Sequence, residues 1–167
     1  QGNPWLSAGN AKVILNEVNS SNPSQFNGYI EVAGPRAEVV IANPAGISVN
    51  GGGFINASKA TLTTGTPIWS QGQIDSYRVQ GGAIGIEGDG LDLRTTDYAA
   101  ILARVVEVNA GIWANDLKVI TGTNAIDATT LSANMNSLVA PVVISSTKPE
   151  IALDVAQLGG MYAGKIF

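Results

Sequence analysis

Apolar residues in this chain come in short runs, each closed by a turn before it could complete two turns of helix. Between Glu38 and Pro67 the runs are Val39-Val40-Ile41, Ile47-Ser48-Val49, Phe54-Ile55 and Ala60-Thr61-Leu62, separated by Asn43-Pro44-Ala45-Gly46 and Asn50-Gly51-Gly52-Gly53. β-Branched residues dominate them, and the pattern predicts strands. Turns every few residues with almost no charge between them suit a chain that winds and stacks on itself, a parallel β-solenoid.

The same rhythm runs through Lys12–Val18, Tyr29–Val32, Pro67–Trp69, Tyr77–Val79, Ala83–Ile86, Leu91–Leu93, Gly111–Ala114 and Leu117–Ile120, and returns at Val139–Ile144, Ile151–Val155 and Met161–Ile166. Tyr29–Val32 and Glu38–Ile41, either side of Gly34-Pro35, could form a hairpin. Thr96–Val108 is ambiguous, and its spacing favours a short helical turn over Asp97–Leu102 running into a strand. Leu62–Pro67 and Val119–Asn124 resemble each other, each ending in Thr-Gly-Thr, whereas Asp127–Ser137 reads as a polar excursion. Rungs of about 20 residues with three short strands each fit this spacing. Val39, Ile41, Ile47, Val49, Ile55 and Leu62 should then face the interior. Asn at corners could bond the next rung, and Gly46, Gly53, Gly65 and Gly122 could supply positive φ.

Only 13% of the 167 residues are charged, with a net charge of −4, and Asn, Ser, Thr and Gly supply the polarity. No basic stripe exists to hold phosphates, so nucleic acid is not an expected partner. Cysteine and histidine are absent, which removes disulfides, thiolate metal sites and Ser-His or Cys-His catalysis. No cofactor is implied. Gln1-Gly2-Asn3-Pro4 and Ala163–Phe167 read as boundaries within a longer protein, so that residues 1–167 would form a single β-helical domain cut at both ends.

Asn3-Pro4-Trp5-Leu6, Val13–Val18, Gly28–Gly34, Ala37–Ile47, Gly51–Asn56, Thr61–Pro67 and Leu158–Ala163 occur in the same order in a known family. Together they resemble the amino-terminal secretion domain of filamentous haemagglutinin-like exoproteins, a family that includes contact-dependent growth-inhibition toxins. The resemblance implies a right-handed parallel β-helix with short extra-helical β hairpin or sheet elements. It also implies a secreted or cell-surface protein of a Gram-negative bacterium that crosses the periplasm. The implied partners are the periplasmic modules of a two-partner-secretion transporter in the outer membrane and the downstream repeats of the same exoprotein, the domain itself being a monomer.

Two tetrapeptides mark that family, Asn-Pro-Asn-Leu and Asn-Pro-Asn-Gly. Here they stand as Asn3-Pro4-Trp5-Leu6 and Asn43-Pro44-Ala45-Gly46, each with its second Asn replaced. At Ala45 the change removes one turn hydrogen bond, worth roughly 1 kcal/mol. The residues Asn3, Pro4, Leu6, Asn43, Pro44, Ala45 and Gly46 could be read by the transporter, or could simply shape the solenoid.

Other chemistry is weaker. Gly88-Asp89-Gly90-Leu91-Asp92-Leu93, with Glu87 and Asp97, looks superficially like a calcium-binding solenoid repeat, but one copy cannot face another, and turn chemistry explains it. Asn27-Gly28 and Asn50-Gly51 are two-residue turn signals. The aromatics Trp5, Trp69, Tyr77, Tyr98, Trp113 and Tyr162 serve core and cap packing, or a carbohydrate or partner platform if they align. An adhesive module binding host glycan or receptor is the alternative to transport. A polysaccharide-cleaving enzyme would need paired carboxylates in one cleft, with Asp89 and Asp92 or Glu31 and Glu38 as candidates.

Overall fold

The apolar runs are too short to bury themselves, so each pairs in parallel with its counterpart one turn of the chain later. The computed structural model describes residues 9–134, 153–155 and 160–167. Five rungs result. The first holds β1 (Val13–Glu17), β2 (Ser24–Phe26) and β3 (Tyr29–Glu31); the second holds β4 (Ala37–Ala42) and the bent strand β5 (Ile47–Ile55). The third holds β6 (Ala57–Thr63), the hairpin β7 (Thr66–Ser70) and β8 (Gln73–Val79), and β9 (Ala83–Leu93). The fourth holds β10 (Tyr98–Ala103), β11 (Val105–Val108) and the first half of β12 (Gly111–Thr121). The fifth takes the second half of β12, then β13 (Asn124–Asp127), β14 (Ala133–Asn134), β15 (Leu153–Val155) and β16 (Gly160–Ile166).

Three parallel faces wrap the interior. Face one stacks β1, β4, β6, β10 and the end of β12. Face two stacks β2, β5, β9, β11 and β15, and face three stacks β3, β5, β9, β12 and β16. The bends in β5, β9 and β12 let one strand serve two faces. Ile41, Leu62, Ile101 and Val119 form one continuous inward column; Phe26, Val49, Ile86 and Val108 form another. Burial of each such side chain stabilises the stack by about 1.5–3 kcal/mol. Five of the six residues expected inside are buried, but Ile55 is 41% exposed. In a strand neighbours alternate, and Phe54 takes the inward position, its ring 5.3 Å from that of Phe26.

A second layer covers face one. The hairpin β7–β8 joins β13 and β14 in an antiparallel sheet of order β14-β13-β8-β7. Between this sheet and face one lies a separate apolar cluster of Val40, Tyr77, Val79, Ala100, Leu102, Ile126 and Leu131. Burial on both sides explains why β4 and β10 read as nearly continuous apolar runs. The two Thr-Gly-Thr sequences mark the two exits into this sheet. Leu62 and Val119 occupy the same column, through Ile101, and the chain leaves the helix just after each.

Several local expectations change. Tyr29–Val32 and Glu38–Ile41 form no hairpin; β3 pairs with β5, and β4 pairs with β1 and β6, all in parallel. Asp97–Leu102 is no helical turn: Tyr98 onward is strand β10, inserted between β6 and β12, and its double-sided burial erased the period-two signal. Asn27-Gly28 and Asn50-Gly51 are corners within a rung, the second at a register shift in β5, and neither closes a hairpin. The hairpin turn is instead Gln71-Gly72, both residues at positive φ (50° and 79°), as a type I′ turn requires. Gly46 and Gly122 have positive φ, whereas Gly53 and Gly65 do not; these two are glycine because neighbouring side chains occupy the space of a Cβ. Val139–Ile144 and Trp5 lie outside the described residues.

Candidate functional site

The Asn43–Gly46 turn joins face one to face two in the second rung. Asn-Pro starts the turn, the Asn43 carbonyl accepts from Gly46 N at 3.0 Å, and Asn43 Oδ1 accepts from Ala45 N at 2.9 Å. Asn43 Nδ2 reaches to the rung below, donating to the Asn22 carbonyl at 3.0 Å and to Ser24 Oγ at 2.9 Å. Asn43 N donates to the Thr63 carbonyl of the rung above at 3.0 Å. The side chain is fully buried. Gly46, at φ +125°, passes so close to the next rung that a Cβ there would lie 2.9 Å from the Ala83 carbonyl oxygen. Only Pro44, and partly Ala45, present themselves to solvent. Asn43 and Gly46 are therefore clamps between rungs. Asn3, Pro4 and Leu6 fall outside the described residues.

The corner between face three and face one is clamped in the same manner. Asn56 Nδ2 donates to the Val32 and Gly34 carbonyls at 2.8 and 2.6 Å, and Asn115 Nδ2 to the Arg94 and Thr96 carbonyls at 2.9 and 2.8 Å. Arg36 bridges three successive corners, through the Ala57 and Thr95 carbonyls and Asp97, the last at 3.0 Å. Asp97 is thereby an ion-pair partner of Arg36.

The carboxylates do not converge. Gly88 and Gly90, both at positive φ, form the corner between faces two and three, where Asp89 N donates to Asn50 Oδ1 at 3.0 Å and Glu87 accepts from Ser48 Oγ at 2.9 Å. Asp92 is held by Arg94 through three hydrogen bonds, from the backbone N at 3.1 Å and from the guanidinium at 2.9 and 2.7 Å, and this guanidinium lowers its carboxyl pKa to about 2. Glu31 stands on face three, whereas Glu38 pairs with Lys59 at 3.1 Å beneath the antiparallel sheet on face one. Among the described residues no group of three or more acidic side chains is placed to hold a metal ion. A cleft of about 850 Å³ opens between the antiparallel sheet and the start of face one, with Glu38, Lys59, Trp69 and Tyr77 in its walls. Burial, and then the Glu38 charge, raise the Tyr77 phenol well above its ordinary value.

Face three carries an outward column that sequence reading left scattered. Register places Tyr29, Gly53, Asp92, Trp113 and Tyr162 one above another. Tyr29 extends over Gly53 and donates its hydroxyl to Asp92 at 3.2 Å. Trp113 lies over Gly111 and Tyr162 over Gly160, in each case the glycine two positions earlier. Their ring planes differ by 13° with centroids 6.3 Å apart. The legible signal was the repeated Gly-X-aromatic, Gly111-Ile112-Trp113 and Gly160-Met161-Tyr162.

A family model described as TPS secretion domain matches residues 5–167. The chain is 57% identical over 165 residues to a protein named Toxin CdiA from Yersinia pestis, and 45% identical over 168 residues to one named tRNA nuclease CdiA-2 from Burkholderia pseudomallei. Each match covers 99% of this chain and 5% of the relative. A solved structure, the filamentous hemagglutinin secretion domain, superposes with a TM-score of 0.81 at 34% identity, covering 93% of this chain and 53% of that one.

Proposed function

This chain belongs to the TPS (two-partner secretion) secretion-domain family, and we propose that it hands a long exoprotein to its outer-membrane transporter and then starts that exoprotein's β-helix. The observation that carries this reading is the family match over residues 5–167 on a chain folded as a parallel β-helix. Such exoproteins are secreted or held at the surface of Gram-negative cells. The chain spans about 5% of its curated relatives, so the nuclease and toxin activities in their names are those of whole proteins. A TPS secretion domain is a non-catalytic region, and in our reading this one turns over no substrate.

We read residues 1–167 as one domain that acts as a monomer. The transporter's periplasmic modules meet it as strands meeting a strand edge: among the described residues, β1, β2 and β3 each pair on one side only, and Val13, Ile14 and Tyr29 are exposed there. Downstream rungs of the exoprotein add at the opposite end. Within the family tetrapeptides, Asn43 and Gly46 act through folding, and Pro44 with Ala45 is the part open to direct reading. The position of Asn43, buried between rungs, supports that division.

Secretion tests the reading. The chain is expressed behind a signal peptide with and without its cognate transporter, the medium is assayed, and the purified chain is checked by circular dichroism. Folded chain in the medium only when the transporter is present is expected. Folded chain retained in the periplasm beside a working transporter would overturn the reading.

A further inference from the structure

We infer that the outward column of face three is a carbohydrate-binding floor, with Trp113 and Tyr162 as the stacking platform and Arg94, held in place by Asp92, as the hydrogen-bonding rim. A pyranose presents a flat patch of C–H groups on one face and hydroxyls around its edge, so its receptor needs a flat aromatic surface beside a hydrogen-bonding group. The two rings meet the first need. They lie nearly parallel, at 13°, each laid back over a glycine of its own strand, so both present their broad sides outward. Trp113 is 36% and Tyr162 61% exposed.

The rim meets the second. Asp92 adjoins Trp113 in register and accepts from Tyr29, from Arg94 Nε and Nη2 and from Arg94 N, which fixes the guanidinium beside the rings. Arg94 has 66% of its side chain in solvent, with donors to spare. Gly53, Gly111 and Gly160 leave room for the rings of Tyr29, Trp113 and Tyr162 to lie over them. A protein partner would instead favour a protruding anchor or a pocket with a broad apolar surround. Here the aromatic area is narrow, and polar groups flank it. The ligand class is therefore an oligosaccharide running along the column, from Tyr162 toward Tyr29. This inference concerns the folded surface only, and its Tyr29 end adjoins the edge assigned above to the transporter.

Nuclear magnetic resonance titration of the 167-residue chain with cellohexaose, laminarihexaose and chitohexaose tests it. Shifts confined to the Trp113 indole N–H, the Arg94 Nε–H and the amides of Gly111–Ala114 and Gly160–Ala163 are expected for at least one sugar. Tyr162→Ala, an exposed position, should weaken binding at least about tenfold, as should Trp113→Ala, while Trp69→Ala on the hairpin should leave it unchanged. The fold of each variant is read from the same spectra. Absence of shifts with all three sugars would overturn the inference. So would binding that survives Tyr162→Ala, or loss of transporter binding in that variant without any sugar response, which would assign the floor to a protein.

Discussion

The ring of Tyr29 fills the place where a side chain at Gly53 would stand: a Cβ on Gly53 would lie 2.4 Å from Tyr29 Cε1. Tyr29 belongs to the first rung and Gly53 to the second, and the phenol passes on to Asp92 in the third. One side chain thus spans three rungs because a glycine leaves the path open. Gly53→Ala should displace the ring, break the bond to Asp92 and cost about 1 kcal/mol. In a Tyr29→Ala background the same change should be neutral or mildly stabilising, since alanine is the better strand residue. A double-mutant cycle in urea reads the coupling; equal effects of Gly53→Ala in both backgrounds would refute the account.

Asn43→Ala removes three hydrogen bonds from a fully buried position and should cost about 2–3 kcal/mol. Pro44→Ala, on the exposed side of the same turn, should change stability by under about 1 kcal/mol. Chemical denaturation of both, beside a secretion assay, separates folding from recognition. A folded Pro44→Ala chain that is no longer secreted places the transporter contact at this turn; normal secretion of it leaves Asn43 acting through the fold.

Ile126 is fully buried opposite Tyr77, across the antiparallel pair of β13 with β8. Its replacement by alanine should cost about 2–5 kcal/mol. Because its cluster includes Val40 and Leu102, hydrogen exchange should speed up together in β4, β8 and β10. Faster exchange limited to β13 would show that the second layer is an independent appendage.

Asp92 and Tyr77 contribute to the acid and alkaline limits of stability. The Asp92 pKa is lowered from 3.8 to about 2, chiefly by Arg94, so its contribution is present above about pH 4 and is lost as pH falls toward 2. Because Arg94 is largely solvated, that contribution is about 1–2 kcal/mol. Asp92→Asn should flatten this acid limb. Tyr77 is shifted upward by burial, so the fold favours its neutral form; that stability is intact below pH 10 and is lost as pH climbs above it. Tyr77→Phe should move the alkaline transition upward in a circular-dichroism titration.

The rung pattern was legible because period-two runs, β-branched residues and turn signals agree at Val39, Ile41, Ile47, Val49 and Leu62. Ile55 was misread because Phe54-Ile55 is too short to reveal its own phase. Strand partners were harder. A hairpin and a parallel rung demand the same alternation at Ile30 and Val39, and only the stacked neighbours choose between them. β10 lost its alternation because the second layer buries its outer side as well. At the candidate site, the turn around Asn43 was readable as a turn. Its depth was not, since the residues that bury it, Asn22 and Ser24, lie a rung away. The aromatic column needed the full register, which spans all five rungs.

Pairing between β8 and β13 joins the third rung to the fifth and sets Ala100 and Leu102 of the fourth beneath the closure. A solenoid held only by adjacent contacts could gain and lose rungs singly at its end. Here the gain comes late: until Ile126 arrives, only Tyr77 and Val79 of the hairpin cover the outer side of face one. Under the export proposed above, this arrangement would act as a pawl. Early rungs can come apart singly, but closure of the lid makes unravelling require the simultaneous opening of four rungs.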